Sequence, residues 1–106
     1  MDVRTAHERR DELFWLDVRE PHEVAAGRAP GIHHIPMGQL GARQDELPKD
    51  RPIVCVCRSG ARSGTVTEAL VRAGYDAANL EGGMLAWREA DLPMEADGDA
   101  DPVVQR

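Results

Sequence analysis

"PIVCVCRSGARSGTVTEALVRAG", Pro52 to Gly74, holds three patterns in succession. "PIVCVC", Pro52 to Cys57, is a continuous apolar run rich in β-branched residues, which suits a strand buried on both faces. Cys57 to Ser63 is short, cationic and glycine-bearing. From about Gly64, Val66, Ala69, Leu70 and Ala73 recur at helical spacing, and Gly74 follows as a stop. Strand, tight loop and helix in this order predict an α/β unit.

The same alternation extends outward in both directions. Toward the N-terminus, Leu13–Val18 reads as a second buried strand. Thr5 with Glu8 has the spacing of a capping box and predicts a short helix. Pro21 and Gly27 bracket another, with proline in the first turn and glycine past the end. Pro30, Gly31 and Pro36 punctuate a short strand over Ile32–Ile35, and a short helix is expected before Pro48. Toward the C-terminus, Asp76–Leu80 is a weak strand and Gly83–Ala90 a last helix, ending near Leu92 and Pro93. Together these predict one α/β domain, residues 3–93, with a mainly parallel sheet flanked by helices on both faces. Residues 94–106 are acidic and poor in large side chains, and are expected to be disordered or loosely attached.

The chain has 106 residues and a formal net charge of -6. That length suits one modest core, and the acidic balance argues against nucleic acid and anionic membrane as partners. No apolar run approaches the ~20 residues of a membrane span. "MDVRTAHERRDEL" lacks the apolar core of a signal peptide. Cys55 and Cys57 are too close in sequence for an unstrained disulfide. Free thiols and a cytoplasmic setting are therefore expected.

The chemistry concentrates at Cys57. In an open α/β sheet, ligands bind beyond the carboxyl ends of the strands, where Cys57 sits. Gly60 and Gly64 permit a tight turn with inward N–H groups, which form a nest for anions. The positive end of the following helix faces the same point, and Arg58 and Arg62 add full charges. All of these favour thiolate, so Cys57 is expected to titrate low and act as a nucleophile. Cys55, inside the strand, is expected to pack and stay inert.

"CRSGARS" resembles the active-site loop of the rhodanese family of sulfurtransferases. "LDVREPHEVAAGRAPGIHHIP" resembles that family's Asp-x-Arg, Glu and Gly-His-Ile-x-Gly-Ala pattern followed by Asn-Ile-Pro. "NLEGGMLAW" resembles its closing Gly-Gly and Ala-Trp segment. The departures are Arg28 and Ala29 for His and Ile, His34 for Asn, and Met84 for a bulky aromatic. They leave the nucleophile untouched and fall where they could alter the pocket rim.

The resemblance implies sulfur transfer in two steps. Cys57 takes the outer sulfur of thiosulfate or a persulfide donor, then passes it to a thiophilic acceptor such as cyanide, a thiol or a protein cysteine. No cofactor is implied beyond the covalent persulfide on Cys57. The amides of Arg58, Ser59, Gly60, Ala61, Arg62 and Ser63 would bind the charged sulfur, and Arg58 and Arg62 would orient the donor. Asp17 is expected to pair with Arg58, and Arg19 with Glu23. Gly82 and Gly83 would let a turn pass close to the loop, and Trp87 would belong to the core.

Two other functions fit parts of the pattern. Cysteine phosphatases and arsenate reductases resemble the arrangement, but the phosphatase loop places five residues between Cys and Arg, and here four separate Cys57 from Arg62. Non-catalytic rhodanese-like binding or carrier modules typically lack the cysteine or the cationic loop, both present here. His22, His33 and His34 carry no Cys or acidic pattern of a metal site, so no metal is expected.

Overall fold

The computed structural model describes residues 1–105. Its first helix, α1, spans Val3–Glu8, and its N-cap is Asp2 rather than Thr5. The Asp2 carboxylate accepts the Thr5 N–H at 2.8 Å, satisfying an amide that the helix itself leaves free. The apolar run that follows supplies β1, Phe14–Asp17. Helix α2, Pro21–Ala26, carries a reciprocal capping box between Glu20 and Glu23, with Pro21 at its start. Strand β2 is shorter than the predicted Ile32–Ile35 and covers only His33–His34. Two 3-10 turns, Met37–Gln39 and Gln44–Glu46, stand where one short helix was expected. Gly38 and Gly41 lie in that stretch, and each weakens a helix by ~1 kcal/mol relative to Ala.

The deciding stretch forms β3, Ile53–Val56, and α3, Ala61–Arg72. The helix therefore starts three residues earlier than the sequence suggests. Gly60 is its N-cap, in the left-handed region at φ 99°, where a residue without Cβ is at no disadvantage. Gly64 lies inside the helix, where a Cβ would come 3.3 Å from the Asn79 side chain, a tight contact that glycine avoids. At the other end Gly74 adopts φ 93°, and the Tyr75 and Gly74 amides donate to the carbonyls of Leu70 and Val71. This is a Schellman closure. Strand β4, Ala77–Asn79, and helix α4, Gly83–Glu89, complete the elements.

The sheet order is β2-β1-β3-β4 and every pairing is parallel. Side chains alternate across it. Trp15, Val54 and Val56 face the layer built from α1, α4 and Leu80, where Met84 and Trp87 are buried. Leu16, Ile53 and Cys55 face Val66, Leu70 and Tyr75. Trp87 is a core residue, meeting Trp15 edge to face at 5.3 Å and donating to the Pro93 carbonyl.

The chain order reverses between β1 and β3, which is where an open parallel sheet leaves a crevice. Register sets Asp17 beside Val56 and Cys55 beside Asn79. Asp17, Cys57 and Asn79 therefore emerge at one edge.

Residues 95–105, in the stretch expected to be loose, lie against α2. The Asp97 and Val103 amides donate to the Ala25 and Ala26 carbonyls at 2.9 Å each. Arg28 bridges to Glu95 through backbone and to Asp97 through its guanidinium. Val104 is buried. The end of α2 has free carbonyls, and the tail backbone fills them. Arg106 falls outside the described residues. Among these residues no helix is long and apolar enough to cross a membrane.

Candidate active site

Cys57 follows the last residue of β3, and the short turn to α3 folds back over its sulfur. Only 1 % of the residue is exposed. The Gly60 N–H donates to Cys57 Sγ at 3.1 Å, and Ser63 Oγ lies 3.2 Å from it. Burial pushes the thiol up. The Ser63 hydroxyl and the amides of Ser63, Gly60 and Ser59 outweigh it, and the net shift is downward. The thiolate is thus favoured by the amide cradle and one hydroxyl, more than by the arginines that the sequence brings forward. Two residues away, burial pushes the Cys55 thiol up to about 11, with a smaller opposing contribution from Thr67. The two thiols have opposite tendencies because one faces amides and the other faces packed side chains.

The expected ion pairs are exchanged. Asp17 does not pair with Arg58. It pairs with Arg19, which donates through Nη2 at 2.8 Å, through Nε at 3.0 and 3.2 Å, and through its backbone N–H at 3.1 Å. Both side chains are fully buried. Arg19 also donates to the Gly27 carbonyl, and His34 contacts the Arg19 carbonyl at 2.7 Å.

Glu23 instead receives Arg62. Nη1 and Nη2 each lie 2.8 Å from one carboxylate oxygen, the two-pronged arrangement that favours Arg over Lys. This pair ties the first turn of α3 to α2. Arg58 is left over. Its Nε is buried without a hydrogen-bond partner among the described residues.

The pairing makes stability depend on acid. Arg62 holds the Glu23 carboxyl at about 2, against burial, which pushes it up from the ordinary value of 4.5. A depressed carboxyl contributes its full stability above the unfolded value and loses it as pH falls through the folded one. Between about pH 4.5 and 2 the wild type should lose stability steeply. Glu23→Gln should start lower and lose less across the same interval. Urea unfolding as a function of pH reads both, and parallel curves for the two proteins would remove Glu23 from this role.

The turn into α4 closes the site from the other side. Met84 and Leu85 donate their amides to the carbonyls of Cys57 and Arg58 at 2.9 and 3.0 Å. Gly82 and Gly83 have φ 77° and 57°. A Cβ on Gly82 would strike Ala86, and one on Gly83 would lie 2.5 Å from the Cys57 carbonyl oxygen. Gly83 is thus the closer approach. Gly83→Ala combines left-handed strain with overpacking and should cost about 2–4 kcal/mol. It should also slow alkylation of Cys57, because the loop must move. A melting temperature and alkylation rate equal to wild type would contradict this packing.

Asn79 escaped the sequence analysis. It lies at the end of β4, with Nδ2 donating to the Gly60 carbonyl at 2.9 Å and Oδ1 facing Ser63 Oγ at 2.6 Å. The remaining candidates lie at the rim or beyond. Ser59 and Ala61 are exposed, and His22 is exposed on α2. His33 pairs with Glu46. Among the described residues no group of three or more His, Cys, Asp or Glu is placed to hold a metal. Of the departures, Met84 is buried in the core, Arg28 binds Asp97 and His34 binds the Arg19 carbonyl.

The model of the rhodanese-like domain matches residues 2–90. This chain belongs to the rhodanese-like domain family. YtwF of Bacillus subtilis strain 168 is 43% identical over 83 residues, covering 78% of this chain and 81% of that one. A protein named sulfurtransferase in Allochromatium vinosum is 40% identical over 87 residues, covering 81% of each. The crystal structure of a rhodanese-related protein from Thermoplasma volcanium superposes with a TM-score of 0.88 at 28% identity, covering 92% of this chain and 97% of that one. The rhodanese-like assignment thus spans the loop, both flanking motifs and the sheet that positions them.

Proposed function

We propose that this rhodanese-like chain is a sulfurtransferase that carries sulfane sulfur as a persulfide on Cys57. The observation that carries the reading is the amide and hydroxyl cradle around a buried Cys57 sulfur that titrates below its ordinary range. In the first step the Cys57 thiolate attacks the outer sulfur of thiosulfate or of a small thiol persulfide. A bond forms between Cys57 Sγ and that sulfur. The donor's own sulfur–sulfur bond breaks, and its electron pair leaves with sulfite or with the thiolate. In the second step an acceptor (cyanide in a test-tube assay, a thiol or protein cysteine otherwise) attacks the outer sulfur, and Cys57 leaves as thiolate. Both steps balance without a cofactor.

The charge pairing divides the work between the arginines. Arg62 has two nitrogens committed to Glu23 and holds the loop in place. Arg58, with an unsatisfied Nε, is the cation assigned to the anionic donor. A fixed set of donors around a single sulfur is the electrostatic arrangement that stabilises charge developing there.

The test is mass spectrometry after incubation with thiosulfate and, separately, with glutathione persulfide. One added sulfur is expected on the peptide bearing Cys57, and it should disappear on adding cyanide with formation of thiocyanate. Absence of the adduct with both donors would overturn the proposal.

A further inference from the structure

We propose that Asn79 is a positioning residue that acts through Ser63, so that one hydroxyl proton alternates between Asn79 Oδ1 and Cys57 Sγ as the charge on that sulfur changes. Ser63 Oγ lies 2.6 Å from Asn79 Oδ1 and 3.2 Å from Cys57 Sγ. A serine hydroxyl has one proton and two lone pairs. It therefore donates to one of these neighbours at a time. The orientation of the Asn79 amide is not free. Its Nδ2 donates to the Gly60 carbonyl at 2.9 Å, and a flipped amide would set two oxygens against each other. Asn79 thus always presents an acceptor to Ser63.

The consequence follows from the charge on the inner sulfur. When Cys57 is a thiol, its S–H is a weak donor, and the Ser63 proton rests on Asn79. When Cys57 is a thiolate, the hydroxyl turns to the sulfur, because a hydrogen bond to an ion is stronger than one to a neutral amide. After loading, the inner sulfur is a neutral, disulfide-like atom and the proton returns to Asn79. That last step rests on the sulfur-transfer reading; the first two do not. Asn79 thereby limits how strongly the empty thiolate is favoured, and supplies a partner for the hydroxyl once the sulfur no longer needs it. Ser63 is completely buried, so water does not offer that partner.

The experiment is an ultraviolet titration of the Cys57 thiolate in the unloaded protein. It compares wild type, Ser63→Ala, Asn79→Ala and the double variant. Cys55 stays silent over the working range, since its thiol is pushed up to about 11. The other charged groups at the loop are Arg58, the Arg62–Glu23 pair and the Asp17–Arg19 pair, and none is altered. Ser63→Ala should cut the thiolate fraction at a given pH roughly tenfold. Asn79→Ala also releases the Gly60 carbonyl, an effect common to both backgrounds. Its remaining effect should favour thiolate about fivefold more when Ser63 is present than when it is absent. Additive substitutions, or a coupling of the opposite sign, would overturn the proposal.

If Asn79→Ala does not fold, Asn79→Asp with and without Ser63→Ala closes the same cycle. A carboxylate is a stronger acceptor for the Ser63 proton, so the coupling should then disfavour thiolate. Additivity there also overturns the proposal. Since no sulfur donor enters the titration, a failure of sulfur transfer and a failure of this proton exchange are read separately.

Discussion

Replacing Cys57 by Ser is expected to abolish sulfur transfer, with kcat falling by at least about 10³. A serine hydroxyl in the same cradle stays protonated at neutral pH. It also cannot form the sulfur–sulfur bond in which the proposed mechanism holds sulfane sulfur between its two half-reactions. The cradle would survive, because the Gly60 amide and the Ser63 hydroxyl can still bind an oxygen. Circular dichroism and thermal unfolding close to wild type should accompany the loss. Cys55→Ala is the matched control. Its thiol packs beneath α3 and is held in the protonated form, so most of the transfer activity should remain, with a modest loss of stability. Thiocyanate production from thiosulfate and cyanide measures both. Wild-type turnover in the Cys57 variant, or an inactive Cys55 variant that folds normally, would displace Cys57 as the sulfur carrier.

The second large effect lies behind the loop. Arg19→Ala should destabilise the fold by about 3–5 kcal/mol, since it leaves the Asp17 carboxylate buried and unpaired. Domains of this size have only about 5–15 kcal/mol in total. The melting temperature should therefore fall by roughly 15 °C or more. The loss would come chiefly from the stranded charge. Asp17→Leu combined with Arg19→Met, which removes both charges and keeps apolar volume, should be less damaging than Arg19→Ala alone. Denaturant unfolding of the two proteins is the measurement. A loss below about 1 kcal/mol for Arg19→Ala would mean that the pair has no structural weight, whatever its geometry. Asp17 lies at the end of β1 beside Val56, so a shift there should also reach Cys57.

The parts of this molecule that were legible in its sequence are those with local causes. A β-branched run, a glycine-bearing turn and a 3.6-residue repeat lie next to one another from Pro52 to Gly74, and they announce a strand, a loop and a helix with Cys57 at the junction. The ion pairs were not legible in the form given, because pairing depends on side-chain direction and not on which charges share a neighbourhood. A signal was nonetheless present. Asp17 and Arg19 are two apart where the chain leaves a strand, and side chains at that spacing emerge on the same side.

Gly64 misled for a different reason. Glycine inside a helix is unfavourable, so it reads as a boundary, but here it lies within α3, and a Cβ there would crowd the Asn79 side chain at 3.3 Å. Asn79 itself stands at the head of the quoted "NLEGGMLAW", but nothing local marked it as a partner of the loop. It is one polar residue at the end of a weak strand, and its meaning comes from the pairing of Asn79 with Cys55 across β3 and β4. The C-terminal stretch was judged by acidic composition, whereas its contacts with α2 are largely made by backbone amides, which composition does not encode.

The all-parallel sheet has a consequence for how this activity comes into being. A parallel pair cannot be joined by a tight hairpin and needs a crossover. Every strand contact here is therefore non-local, and such topologies fold more slowly than those assembled from neighbours. Cys57 emerges with its own turn already encoded beside it, but the groups that hold that turn do not. Asn79, Gly83 and the amides of Met84 and Leu85 all come later in the chain. While the chain is being made, Cys57 and its turn precede the residues that hold the turn closed, so the low titration of this thiol is expected only after those residues have docked. The nucleophilic character proposed for Cys57 is therefore expected to depend on the last crossover, which makes it a marker of completed folding.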